Sequence, residues 1–522
     1  MRRSPISSKR ANAALALGAA MTVSGCMVGP NYKTPPAPVA DTYQDTGSDA
    51  VKRESADVAT WWTVFNDPVM DTLVQTAHRQ NPTLQSAAVR VLEAQARRGI
   101  AVGLLFPQDQ AGFGGYTRNM ISKNQANLPE TIDRHFSDWQ LGAAASWELD
   151  IWGRFRRGIE SADAEVLSAV ASYDDALVTL IGDVATEYVS IRILQERLIV
   201  ARANVEVQKL GLDLAEIRFK GGTATELDRM QALSLLRDTE ALIPEFEAGI
   251  QQGQNRLCVL LGIPPEDLSP MLGKKHQIPG APASVAVGIP ADLLRRRPDI
   301  RRAERNLAAQ SARIGVAKSD LYPSFTLVGD IRLVSEHFED LFEGRSAQAF
   351  GGPTFHWALF NYGRIENGVR VEDARFQALI GLYENTVLRA QAEVENAIAG
   401  YLSAQRQTVL LSEGVAAAQG AVRVAETQYR GGIADYTRVL LTQSFLQKEQ
   451  DQLVSTRGAI ALNLVSLYRS LGGGWELRSD RIQLDEKIRA QMRQRTNWGK
   501  LLAPDAIKTG QTVAPATTRP AE

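Results

Sequence analysis

The sequence is poor in cysteine and histidine. Two cysteines, Cys26 and Cys258, stand among 522 residues, too few for a disulfide framework. The five histidines, His78, His135, His276, His337 and His356, lie far apart, without the short spacing of metal ligands on one element. Charge of one sign is lacking too, since 58 Lys and Arg face 59 Asp and Glu. No broad basic surface results, so no nucleic-acid partner is expected. No run of 18 or more apolar residues follows the N-terminal segment, which argues against a transmembrane helix. Gly273-Lys274 lacks the upstream glycine of a phosphate loop, and Gly112-Phe113-Gly114-Gly115 has no following helix. Neither a cofactor nor a metal nor an enzymatic activity is expected.

The absence of proline is informative in a different way. None occurs from Thr131 to Ile243, or from Thr354 to Ala503. Proline would remove a helix hydrogen bond and clash with the preceding turn, so these spans permit very long helices. They also contain an internal repeat. Gly153-Arg154 returns as Gly363-Arg364, Phe219-Lys220-Gly221-Gly222 as Tyr429-Arg430-Gly431-Gly432, and Leu261-Gly262 as Leu471-Gly472, always 210 positions on. A constant offset over a long span fixes the architecture before anything else. Apolar residues recur every seven positions at Val170, Leu177, Val184, Ile191 and Leu198, and in the same phase at Ile380, Val387, Val394 and Tyr401. That period means coiled-coil packing. The glycine pairs Gly221-Gly222 and Gly431-Gly432 supply left-handed positions that end each long helix, so each copy is a helical hairpin with a tight tip. Pro244 is expected to bend the first return helix.

Upstream the repeat continues at an offset of 216, as Pro82 and Pro298, Gly99 and Gly315, and Pro107 and Pro323. Each copy therefore opens with a shorter helix, over 82–105 and 298–320. Between the short and long helices the period changes from seven to two. Leu141, Ala143, Ala145, Trp147, Leu149 and Ile151 alternate with more polar neighbours, and 325–334 alternates likewise. Alternation predicts strands. Segments 108–119 and 346–360 are further strand candidates, the latter weakened by Pro353. Four strands in one chain cannot close a barrel, which needs around eight; either they form a minor soluble sheet or several chains pool them, three chains giving twelve.

The N-terminus has a basic start, an apolar stretch and then Val23-Ser24-Gly25-Cys26. It reads as a signal peptide over 1–25 with lipidation at Cys26. Cys258 is then left as a small apolar core residue. The expected organisation is an N-terminal segment over 26–80, the first repeat over 81–262 and a linker over 263–297. The second repeat over 298–472, a C-terminal region over 473–502 and a tail over 503–522 complete it. The Pro- and Gly-rich stretches 30–60 and 263–297 read as extended connections.

Several motifs carry a family likeness. They are Val28-Gly29-Pro30-Asn31-Tyr32-Lys33-Thr34-Pro35, Trp61-Trp62-Thr63-Val64-Phe65-Asn66-Asp67-Pro68, Asn81-Pro82-Thr83-Leu84 and Leu293-Leu294-Arg295-Arg296-Arg297-Pro298-Asp299-Ile300. In combination they resemble the TolC-like outer-membrane efflux proteins, in the NodT-type lipoprotein branch. The resemblance implies a mainly α fold with a β-barrel portion: a homotrimer with a strand barrel in the outer membrane, a helical periplasmic tunnel and a mixed collar formed by 26–80, 263–297 and 473–502. It also implies a periplasmic adaptor and an inner-membrane pump of the RND type as partners, and passive export of small molecules. An ABC-driven protein-secretion duct and a lipid-anchored scaffold without a pore are the alternatives. In the family, polar contacts at the helix tips hold the entrance shut. Glu226, Asp228, Asp435 and Arg438 are the candidates here, with Asp228 and Arg438 equivalent in the repeat and opposite in charge. Arg295, Arg296 and Arg297, with Arg301 and Arg302, are expected to lie on a collar surface or in ion pairs.

Overall fold

The computed structural model describes residues 27–44, 50–54, 57–127, 129, 131–273, 275–478 and 481–503. The segment 1–25 expected to be a signal peptide, Cys26 and the chain from 504 onward lie outside the described residues. Helix α1 (Pro68–Gln80) starts on Asp67, whose carboxylate accepts from the Val69 amide at 2.9 Å, with Pro68 at the first helical position where no amide is needed. The first copy then runs α2 (Pro82–Gly103), β1 (Asp109–Met120), β2 (His135–Glu148), α3 (Arg154–Lys220) and α4 (Glu226–Leu261). The second runs α5 (Pro298–Ser319), β3 (Ser324–Ser335), β4 (Ala347–His356), α6 (Arg364–Arg430) and α7 (Tyr436–Ser470), and α8 (Glu486–Arg495) follows.

The long helices α3 and α6 have 67 residues each, about 100 Å at ~1.5 Å per residue. Both begin after a glycine at positive φ, Gly153 at 80° and Gly363 at 78°. Both end in the same turn. The Thr223 amide donates to Arg218 O at 2.8 Å and the Gly222 amide to Phe219 O at 3.0 Å, with Gly222 at φ 72°. This is the paired closure that a left-handed glycine makes possible. Pro244 does not interrupt α4, which continues through it. The seven-residue seam is buried at Leu177, Val184 and Ile191 in α3 and at Val387, Val394 and Tyr401 in α6. Leu198 and Ile380 are only half-buried.

The four strands form one antiparallel sheet in the order β1-β2-β3-β4. Strand β2 stops at Glu148, short of the expected Ile151. Asp150 ends it, since its carboxylate accepts from the Phe155 and Arg156 amides at 3.0 Å and starts α3. Strand β4 covers ten residues of the expected 346–360. Pro353 is accommodated opposite Leu327 because β4 is an edge strand. The connections 30–60 and 263–297 are more ordered than their composition suggests, for Val51–Lys52 pairs in parallel with Val285–Ala286. Compactness cuts across the two copies rather than between them. One unit gathers the chain to Pro35 with Glu93–Ser168 and Glu304–Leu382; the other gathers Pro36–Leu92, Ala169–Ala303 and the chain from Tyr383.

Candidate transport pathway: sheet faces and helix tips

The sheet is inside-out by the standards of a soluble domain. Pairing places Leu141 beside Leu333, Ala143 beside Ile331 and Trp147 beside Leu327, so the apolar residues share one face. That face is the exposed one: Ile331 is 71% and Leu141 44% accessible. The other face carries Gln140, Glu148 and the Asp330–Arg332 ion pair at 2.9 Å. Aromatic rings collect at both ends of the strands. Tyr116, Trp139 and Phe338 contact one another in series at 4.5 and 5.0 Å, tilted and then edge to face, at the hairpin end. Trp152 stacks on Tyr322 at 4.7 Å at the helix end, near the exposed Trp357, Phe360 and Tyr362. An outward apolar band between aromatic girdles is the surface a strand barrel presents to lipid.

At the tips, Gly221, Gly222, Gly431 and Gly432 form the two expected turns. Glu226 is exposed and pairs with Arg229, which holds its carboxyl below the usual range. Asp435 accepts from the Arg438 amide at 3.4 Å and starts α7. Asp228 is buried. One of its oxygens accepts from the Thr225 amide at 3.0 Å, completing a reciprocal cap with the Thr225 hydroxyl. Its other oxygen accepts from the Tyr436 amide at 3.4 Å. Within one chain Asp228 thus meets the start of α7 and not the Arg438 side chain, whose guanidinium reaches Gln428 at 3.4 Å.

A residue outside the sequence expectations completes the tip. Arg218 stacks on the Tyr429 ring at 4.8 Å and donates to the carbonyls of Tyr429 and Arg430, the last residues of α6. A cation there meets the negative end of the helix dipole. Tyr429 and Tyr436 meet edge to face at 5.3 Å within a small cluster of Ala215, Ala232, Ala425 and Val439. Burial and the nearby Asp228 raise the Tyr429 phenol, against the opposing pull of Arg218. Arg218 and Asp228 both belong to the first copy and both grip the second. The repeat carried a signal for this, since the partner of Arg218 is the uncharged Gln428.

Most of the arginine cluster is committed to ion pairs. Arg297 bridges Asp299 and Glu393 at 2.7 Å and donates to Ser470 O at 2.8 Å. Arg302 meets Asp175 at 2.7 Å. Arg301 and Arg478 converge on the fully buried Asp174 and flank the Trp475 ring. Arg295 is exposed. Cys258 is buried in α4, as its packing role requires.

The profile of the outer membrane efflux protein family matches residues 73–263 and 289–473. The chain belongs to that family. It is 31% identical over 458 residues to nodulation protein T of Rhizobium leguminosarum bv. trifolii, covering 87% of this chain and 96% of that protein. It is 31% identical over 450 residues to the pyoverdine export outer membrane protein OpmQ of Pseudomonas putida, covering 85% and 94%. Among solved structures, the outer-membrane channel OprN superposes with a TM-score of 0.81 at 32% identity, over 86% of this chain and all of that one. OpmQ is named for pyoverdine export and OprN as an outer-membrane channel. The efflux protein therefore works in the outer membrane as the duct of a tripartite efflux system, with the four-stranded sheet as its β portion and the long hairpins as its helical part.

Proposed function

We propose that three copies of the efflux protein close one twelve-stranded barrel and form a passive duct for small molecules. A periplasmic adaptor and an RND-type pump supply the energy, and a lipid on Cys26 anchors each chain. The observation that carries this reading is the open sheet with its exposed apolar face and two unpaired edges, β1 and β4. In lipid every backbone group must be paired, so β4 of one chain has to meet β1 of the next. Small-molecule cargo is favoured because the relative OpmQ is described by pyoverdine export. The entrance lies at the helix tips, where Glu226, Asp435 and Arg438 carry exposed charge and Asp228 with Arg218 ties the two tips of one chain. The test is assembly. Purified protein in mild detergent is expected to run as a trimer and to conduct ions in a planar bilayer. A stable monomer without conductance overturns the proposal and favours a scaffold.

A further inference from the structure

The first described residues are docked, and their dock is built for them. The Val28 amide donates to Trp152 O at 3.0 Å. Gly29 sits at φ 95°, where a Cβ would stand 2.5 Å from Gly315 Cα. Gly315 is bare for its own reason, since a Cβ there would meet Arg157 Cγ and Cδ at 2.9 Å. Arg157 is only 2% exposed. Its guanidinium donates to Val28 O at 3.2 Å, Gly29 O at 3.4 Å and Asn31 Oδ1 at 2.8 Å, and pairs with Glu160 at 2.7 Å. Further on, Tyr32 packs against Ala164, Ala308 and Ala309, and the Thr34 hydroxyl donates to Glu304 at 3.0 Å. At the other end Met27 covers Gly153, where a Cβ would lie 2.7 Å from Met27 Cγ.

We propose that residues 27–34 form a docked strap, clasped by Arg157, which fixes the height at which the lipid-bearing N-terminus meets the membrane. The proposal rests on the reading of Cys26 as lipidated. Two observations support it. A buried guanidinium is costly unless its donors are satisfied, and three of the four acceptors of Arg157 belong to the strap. The dock without the strap would leave that cation short of partners, so strap and fold are energetically coupled. Second, the strap takes its first backbone bond from Trp152, whose ring stacks on Tyr322 at the helix-end aromatic girdle. Consecutive Cα atoms are about 3.8 Å apart, so a lipid on residue 26 begins two residues from Val28, a backbone position already at that girdle. The lipid and the aromatic rings, two independent markers of membrane depth, coincide.

The test uses the full chain with a nitroxide at Lys33→Cys, an exposed strap position; the buried Cys258 stays silent under native labelling. In bilayer discs the label is expected to give an immobilised spectrum and a single depth by power saturation. Arg157→Gln should convert most of the signal to a mobile component with a spread of depths, and Arg157→Lys a smaller part. Asn31→Ala alters the strap alone and decides the matter if Arg157→Gln fails to fold; it should also release a mobile fraction. A label already mobile in the parent, or unmoved by both variants, overturns the strap. Palmitate labelling of Cys26→Ser separates the underlying reading. Labelling that persists overturns the lipid half, whereas its loss with the Lys33 label still immobile supports both halves.

Discussion

The sheet and the helices of this efflux protein use the same kinds of apolar residue to opposite ends. Along α3 and α6 the repeating residues vanish into the chain, with Val184, Ile191 and Val394 fully buried. Along β2 and β3 the alternating residues Leu141, Leu327 and Ile331 are the accessible ones, and the charged Asp330 and Arg332 take the other face. Apolar burial against water drives the first arrangement. The second makes sense only where the surroundings of the exposed face are themselves apolar. The sign of the pattern therefore reports the solvent of each region. Half-buried seam positions such as Leu198 lie between the two cases.

The comparison breaks most severely if the lipid face is charged. Ile331→Arg is expected to cost ~2–4 kcal/mol per chain near the middle of the bilayer. In a symmetric barrel this should abolish recovery of assembled protein from the outer membrane. Arg332→Ala, on the opposite face, should leave recovery near the parental level; equal losses in the two variants would undo the assignment of faces. In the helices, Ile191→Ala removes a fully buried side chain and should destabilise by ~2–5 kcal/mol in denaturant unfolding. Leu198→Ala sharpens the point, because a loss as large as that of Ile191 would show that the assembled protein covers Leu198 too. The tips should show the smallest effect. Arg218→Ala removes a charged donor from two helix-end carbonyls, a loss of ~1–3 kcal/mol, and should raise single-channel conductance. The exposed charge of Arg438 contributes roughly 0–1 kcal/mol. Additive effects of Asp228→Ala and Arg438→Ala on conductance would confirm that the two side chains act separately, as they do within one chain; a non-additive result would place a contact between chains.

Much of this was legible in the residues themselves. The constant offset revealed two copies, the proline-free spans predicted helices that are 67 residues long, and the glycine pairs marked both tips. Alternation found β2 and β3, and the weaker candidates 108–119 and 346–360 became β1 and β4, even though Pro353 spoke against the last. One miss was local and the others were long-range. Leu149 and Ile151 continue the alternation beyond Glu148, but the Asp150 carboxylate captures two helix amides and ends the strand first. Glu226, Asp228, Asp435 and Arg438 lie beside the tips, but neither Arg218 nor the partners of Asp228 were foreseen. The repeat made Asp228 and Arg438 equivalent, while packing spent Asp228 on the Tyr436 amide and brought in Arg218 from four residues before Gly222.

The sequence by itself determined the elements, their duplication and which residues share a face, because backbone period and breaker placement are local properties of a chain. Only the tertiary structure decided which apolar face turned outward, which buried charges were paired, and that Arg157 closes over the strap. Those outcomes depend on groups more than a hundred positions apart in sequence, such as Arg157 with Gly29 and Arg218 with Tyr429. No local pattern encodes the geometry in which such groups meet.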